Sequence, residues 1–190
     1  MNEIVERYQR RADAFEANVE AVAAEQWDNP SPCEKWSAGD VVDHIIAMHG
    51  YMLRPIGRSA PERTEDRLAD FRAARKAVQD LLDDPAVAGQ EVETPTGKMT
   101  FAAQIDGVVS DDLPLHGWDL ARATGQDETI DPVDVERLWA STTATPAELM
   151  EQYRTPGAFG PDVEVFGAEV SVPADASLQD RLLGLIGRQP

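Results

Sequence analysis

The chain has 190 residues, 42% hydrophobic and 27% charged, which suits one folded domain able to bury its core without disulfides. Its single cysteine, Cys33, excludes an intramolecular disulfide and fits a reducing compartment. A formal net charge of −18 repels nucleic-acid backbones and anionic membrane surfaces, so neither is an expected partner.

The opening MNEIVERYQRR is charged and amphipathic, unlike the apolar stretch of a secretory leader. No window approaches the ~20 apolar residues of a membrane span, so a cytoplasmic protein is expected. Residues 2–24 set Ile4, Tyr8, Phe15, Val19 and Val22 on one stripe of a predicted helix, with Glu and Arg on its other faces. A Pro-rich loop, DNPSPCEKW, follows. Ser37 with Asp40 three residues on predicts a capping box and a second helix over 38–54, ending before Pro55, with Val41, Ile45, Met48 and Met52 inward.

A third helix is expected from about Pro61 to the residue before Pro85, with Leu68, Phe71, Val78 and Leu82 on its apolar stripe and Glu62, Glu65 and Asp66 on a solvated face. Residues 90–99, with a Thr-Gly turn, read as a loop or short hairpin. The fourth helix opens at Thr100 and runs to Thr124, where Gly125 supplies a left-handed end. A fifth starts with Asp131 and Pro132 and can break at Pro146. Residues 156–173 read as extended chain with one or two short strands, and Ser177 with Asp180 caps a last helix. The sum is an all-α, four-helix bundle with an added C-terminal helix and a short extended segment, taken as one domain over 1–190.

Chemistry concentrates in the three histidines, His44, His49 and His116. On the fourth helix Phe101, Ile105, Val108, Asp112, His116 and Leu120 follow steps of three or four residues and share one otherwise apolar face. Polar groups on such a face must be paired, hydrogen-bonded or metal-bound. His44 lies at the edge of the inward stripe of the second helix. If the two helices are neighbours, His44, Asp112 and His116 form a three-ligand divalent-metal site with room for a fourth ligand. His49, five residues from His44, is turned about 140° away from it. Asp111 is off the stripe. Asp119 can accept from the second ring nitrogen of His116 or pair with Arg122 on the surface. Trp36 and Trp118 read as packing residues, and Cys33 as a small loop residue. A plain Asp112–His116 pair without metal is the simpler alternative.

Three stretches, PCEKWSAGDVVDH (32–44), HGWDLARATG (116–125) and VPADASLQDRLLGLIGRQP (172–190), resemble the DinB-like metal-binding helical bundles. Within these the chain is most similar to the actinobacterial branch related to mycothiol-dependent maleylpyruvate isomerase. The resemblance implies a four-helix bundle whose ligands match His44, Asp112 and His116, holding zinc or nickel, and a low-molecular-weight thiol such as mycothiol as co-substrate. It implies a thiol-dependent transferase or isomerase acting on a small electrophile. The alternative is a non-catalytic bundle whose ion braces two helices, with Cys33 or His49 as a fourth ligand. Pairing of helix faces into a homodimer is compatible with the group. Two departures stand out: Asp112 where the isomerase has Glu, and Pro114 between the two ligands, which predicts a kink or a restart near Ser110. The short tail, unlike the isomerase's larger C-terminal domain, argues against maleylpyruvate isomerisation itself.

Overall fold

A computed structural model of the chain describes residues 3–94, 97–158 and 165–190. These divide into two units, Met1–Thr129 and Ile130–Pro190. The structure is mainly α-helical, with one two-stranded sheet among the described residues.

In the first unit, helix α1 (Glu3–Glu20) buries Val5, Tyr8, Ala12, Phe15 and Val19 along one stripe. Helix α2 (Ala38–Met52) starts where its sequence signal lies. Ser37 Oγ accepts from the Asp40 amide, and Asp40 Oδ2 accepts from the Ser37 amide at 2.8 Å. Helix α3 spans Arg67–Leu82.

That start corrects the expected one near Pro61. Asp66 caps the helix by accepting from the Leu68 and Ala69 amides. The preceding residues are turned onto the buried Asp70 carboxylate, which accepts from the Thr64 amide and hydroxyl and from Arg63 Nε. Glu62, Glu65 and Asp66 therefore precede the helix.

A short helix α4 (Pro85–Ala88) leads to strands β1 (Glu91–Thr94) and β2 (Gly97–Thr100), an antiparallel hairpin with Val92 opposite Met99. Pro95 and Thr96, part of the expected turn, lie outside the described residues. Thr100 then caps α5 (Phe101–Ile105), which passes through a π-helical turn, Asp106–Ser110, into α6 (Asp111–Thr124). Gly125, at φ 69°, closes α6 in the left-handed conformation.

The restart at Ser110 has a local cause. Pro114 has no N–H to offer the Ser110 carbonyl four residues earlier. Arg11 of α1 takes that place: its Nη1 donates to Ser110 O at 2.9 Å, to Ser110 Oγ at 3.0 Å and to Asp111 Oδ1 at 2.7 Å. Arg11 is only 3% exposed, so the expectation that the arginines of α1 face outward is wrong at this residue. Arg7 adds a two-pronged bond to Asp106 at 2.8 and 2.9 Å. The π turn is thus held from outside by two guanidinium groups.

Around the bundle, α1 touches α3 and α6, and α2 touches the same two helices. Phe15, Phe71, Phe101, Ile45, Ile105, Leu113 and Leu120 are fully buried between them, with Phe15 and Phe71 ring centroids 4.9 Å apart.

His49 is fully buried in this core and faces away from His44. Its Nδ1 donates to the Ile45 carbonyl at 2.7 Å, and its Nε2 lies 3.0 Å from the Tyr8 hydroxyl. Burial foremost, with the charge of Arg75, outweighs the Ile45 bond and pushes its pKa down from 6.5 to about 4. Below pH 6.5 the unfolded chain takes up a proton that the folded chain refuses. Stability is therefore fully present above 6.5 and falls by up to about 3 kcal/mol as the pH drops to about 4. We expect urea unfolding to show that fall, and proton NMR to show one imidazole remaining neutral until about pH 4. Three imidazoles titrating together near 6.5 would contradict it.

The second unit contains α7 (Pro132–Thr143, capped by Asp131), α8 (Ala147–Tyr153) and α9 (Leu178–Leu185, capped by Ser177). Val135, Leu138, Leu182, Leu183 and Ile186 are buried in it. Of the stretch 156–173, residues 159–164 lie outside the described ones, and the described remainder forms no strand. Instead, the Gly167 and Val170 amides donate to the Ile186 and Gly184 carbonyls at 3.1 and 2.9 Å. A Cβ on Gly184 would meet Val170 O at 2.7 Å, so only glycine permits this approach.

Candidate metal centre

The expected cluster is brought together. Helices α2 and α6 are neighbours, and His44, Asp112 and His116 each offer a ligand atom within 4.8 Å of the other two. His44 Nε2 lies 4.0 Å from Asp112 Oδ2, and the His44 and His116 ring centroids are 4.9 Å apart. All three belong to the first unit. His44 and Asp112 retain 29% and 32% of their side-chain exposure, while His116 retains 10%. The cluster therefore has a buried floor and a solvent-facing rim.

His116 is the most constrained of the three. Its Nδ1 lies 2.9 Å from Asp119 Oδ2, and Asp119 is fully buried. A carboxylate can only accept, so Nδ1 carries the proton and the lone pair resides on Nε2. This is the arrangement that orients a metal-ligating imidazole. Asp119 takes the buried role, not that of a surface residue.

Arg122 is exposed. It bonds Glu128 through Nε at 2.7 Å and lies over the Trp118 ring at 4.7 Å. Asp111 belongs to the Arg11 contact, and His49 is committed to the core. His49 is thereby removed from the candidate fourth ligands.

Sequence reasoning undervalued the loop before α2. Trp36 packs against both histidines of the cluster, its ring centroid 4.8 Å from the tilted His44 ring and 5.8 Å from the stacked His116 ring. Cys33 Sγ lies 3.2 Å from Asp119 Oδ2. A turn holds both residues: the Trp36 amide donates to Cys33 O at 3.0 Å, and Lys35 has a φ of 67°. A positive φ at the third position after a negative one defines a type II turn, which ordinarily calls for glycine there. The sequence marked a Pro-rich loop but carried no sign that it reaches a helix 86 residues further on.

Two imidazole nitrogens and a carboxylate oxygen form a donor set of borderline hardness, suited to zinc or nickel. Ligand atoms on one tetrahedral ion lie about 3.4 Å apart, given bonds of about 2.1 Å. The 4.0 Å between His44 and Asp112 is within side-chain rotation of that spacing.

Fold and cluster together define a helical bundle with a His–Asp–His group between two of its helices. The model of the mycothiol maleylpyruvate isomerase N-terminal domain matches residues 8–54, which include Cys33, Trp36 and His44. Two uncharacterised proteins of Mycobacterium tuberculosis, from strains CDC 1551/Oshkosh and ATCC 25618/H37Rv, are each 30% identical to the chain over 188 residues. Each match covers 95% of this chain and 95% of the relative. The chain belongs to one family with these two proteins, related through residues 8–54 to the mycothiol maleylpyruvate isomerase N-terminal domain. No solved structure matches it. Among the described residues, no helix is long and apolar enough to cross a membrane.

Proposed function

We propose that His44, Asp112 and His116 hold one divalent cation, zinc or nickel, and that the protein presents a low-molecular-weight thiol of the mycothiol type to a small electrophile as a transferase or isomerase. The convergence of the three ligand atoms within 4.8 Å, with His116 already oriented by Asp119, supports this reading. When bound, the ion supplies positive charge that favours the deprotonated, nucleophilic form of a thiol.

The chain's own residues contribute the rest. Asp119 holds the His116 ring with its lone pair on Nε2. Trp36 covers one side of the histidine pair with an apolar ring, excluding water there. The solvent-facing edges of His44 and Asp112 leave an approach for a ligand from outside. That exposure favours an open centre over an ion that merely braces two helices. The partners of this reading are small molecules, in a cytoplasmic protein with a strongly negative charge.

The test is elemental analysis of untagged protein followed by calorimetry with a simple thiol. We expect about one equivalent of zinc or nickel, lost in His116→Ala, and thiol binding only by the metal-loaded form. Metal without thiol binding would support the bracing role instead. A metal-free protein that takes up no zinc would leave a bundle with a buried Asp119–His116 pair.

A further inference from the structure

We infer that Cys33 is a positioning residue of this centre: its thiol braces Asp119, which in turn holds His116. The inference rests on the metal reading above.

Asp119 Oδ2 receives two donors, His116 Nδ1 at 2.9 Å and Cys33 Sγ at 3.2 Å. Because that oxygen can only accept, the sulfur in this contact carries its proton. A second donor on the oxygen that holds the imidazole restrains that carboxylate, and through it the His116 ring.

Sulfur's own position is set by backbone. The Cys33 amide donates to Ser31 Oγ at 3.2 Å, and the Cys33 carbonyl accepts from the Trp36 amide. The Ser31 amide donates to the Trp36 carbonyl at 2.9 Å, and Pro30 bridges Ser37. A lysine held at φ 67° within this loop is conformational strain that the surrounding bonds overcome. The same turn places Trp36 against both histidine rings. One loop thus supplies the brace behind His116 and the wall beside it.

Cys33, His116 and Asp119 also lie close enough to hold an ion among themselves. The hydrogen-bonding distances argue for a brace in place of a ligand: the sulfur contact is with the carboxylate, and Nδ1 is occupied by its proton.

Cobalt(II) loaded into wild type, Cys33→Ala and Cys33→Ser separates these roles. Cys33→Ala should bind cobalt about tenfold more weakly, as is typical when a partner behind a ligand is lost, with altered visible bands. Cys33→Ser keeps a donor and should restore both affinity and spectrum to near wild type. A sulfur-to-cobalt charge-transfer band that vanishes in Cys33→Ala would make Cys33 a ligand and overturn the inference. So would an Ala variant indistinguishable from wild type.

Nitrogen NMR of the metal-free proteins tests the brace independently of any ion. His116 should be the Nδ1–H tautomer in all three proteins, because Asp119 remains, and its Nδ1 proton should exchange with solvent slowly in wild type and Cys33→Ser and faster in Cys33→Ala, where the carboxylate has lost its second donor. An unchanged exchange rate in Cys33→Ala would overturn it. Failure of wild type to bind cobalt defeats the metal reading alone, since the exchange measurement still stands.

Discussion

His44→Ala is expected to weaken zinc binding at least a hundredfold while lowering folding stability by less than about 1 kcal/mol. A full tetrahedral zinc site contributes about 10–16 kcal/mol, or roughly 3 kcal/mol for each ligand, and that share is a factor of about a hundred in affinity. His44 is 29% exposed at the rim of the cluster, so its truncation leaves neither a large cavity nor a buried charge. His116→Ala is a less selective probe, because it leaves the fully buried Asp119 carboxylate without its imidazole partner. Chelator competition and urea unfolding on the same His44→Ala sample check both halves. A variant that binds zinc like wild type would remove His44 from the site.

The second large effect concerns Arg11. Arg11→Met keeps most of the side-chain volume but deletes the donors to Ser110 O, Ser110 Oγ and Asp111 Oδ1. Breaking a buried ion pair from one side costs about 3–5 kcal/mol, and the lower end applies because Asp111 retains 17% side-chain exposure. For a chain of this length that corresponds to a melting temperature lower by roughly 6–12 °C. Asp111→Asn, which still accepts, should cost roughly 1 kcal/mol. The consequence extends to the site. The carbonyl that Pro114 leaves without a helical donor is the one Arg11 satisfies, and Asp112 is two residues beyond it. A melting temperature within about 2 °C of wild type for Arg11→Met would show that the π turn holds without the guanidinium.

Much of the frame was legible because its signals are local. Ser37 with Asp40, Thr100, Gly125, Asp131 and Ser177 each settle a helix end through bonds to neighbours within three residues, or through the one φ value glycine favours. Pro114 announced the restart at Ser110 for the same reason. Where the expectation failed, the deciding partner is distant or sits on an unexpected face. Pro61 did not open α3, because Asp66 offers a better cap and Thr64 is drawn to Asp70.

Arg11 was taken for a surface charge. Its place three residues after Tyr8 and four before Phe15, both fully buried, was the available sign of its burial. The candidate site divides in the same way. Asp112 and His116, one turn apart, and His44 on the edge of an apolar stripe are visible as helical spacing. Cys33 reaches Asp119 through a loop, and no periodicity predicts that contact.

X-ray absorption at the zinc edge of protein loaded with one equivalent should show a shell of nitrogen and oxygen at about 2.0–2.1 Å with the outer scattering of two imidazoles, and no sulfur, if His44, Asp112 and His116 hold the ion. A sulfur shell near 2.3 Å, or zinc that does not remain with the protein, would contradict that assignment.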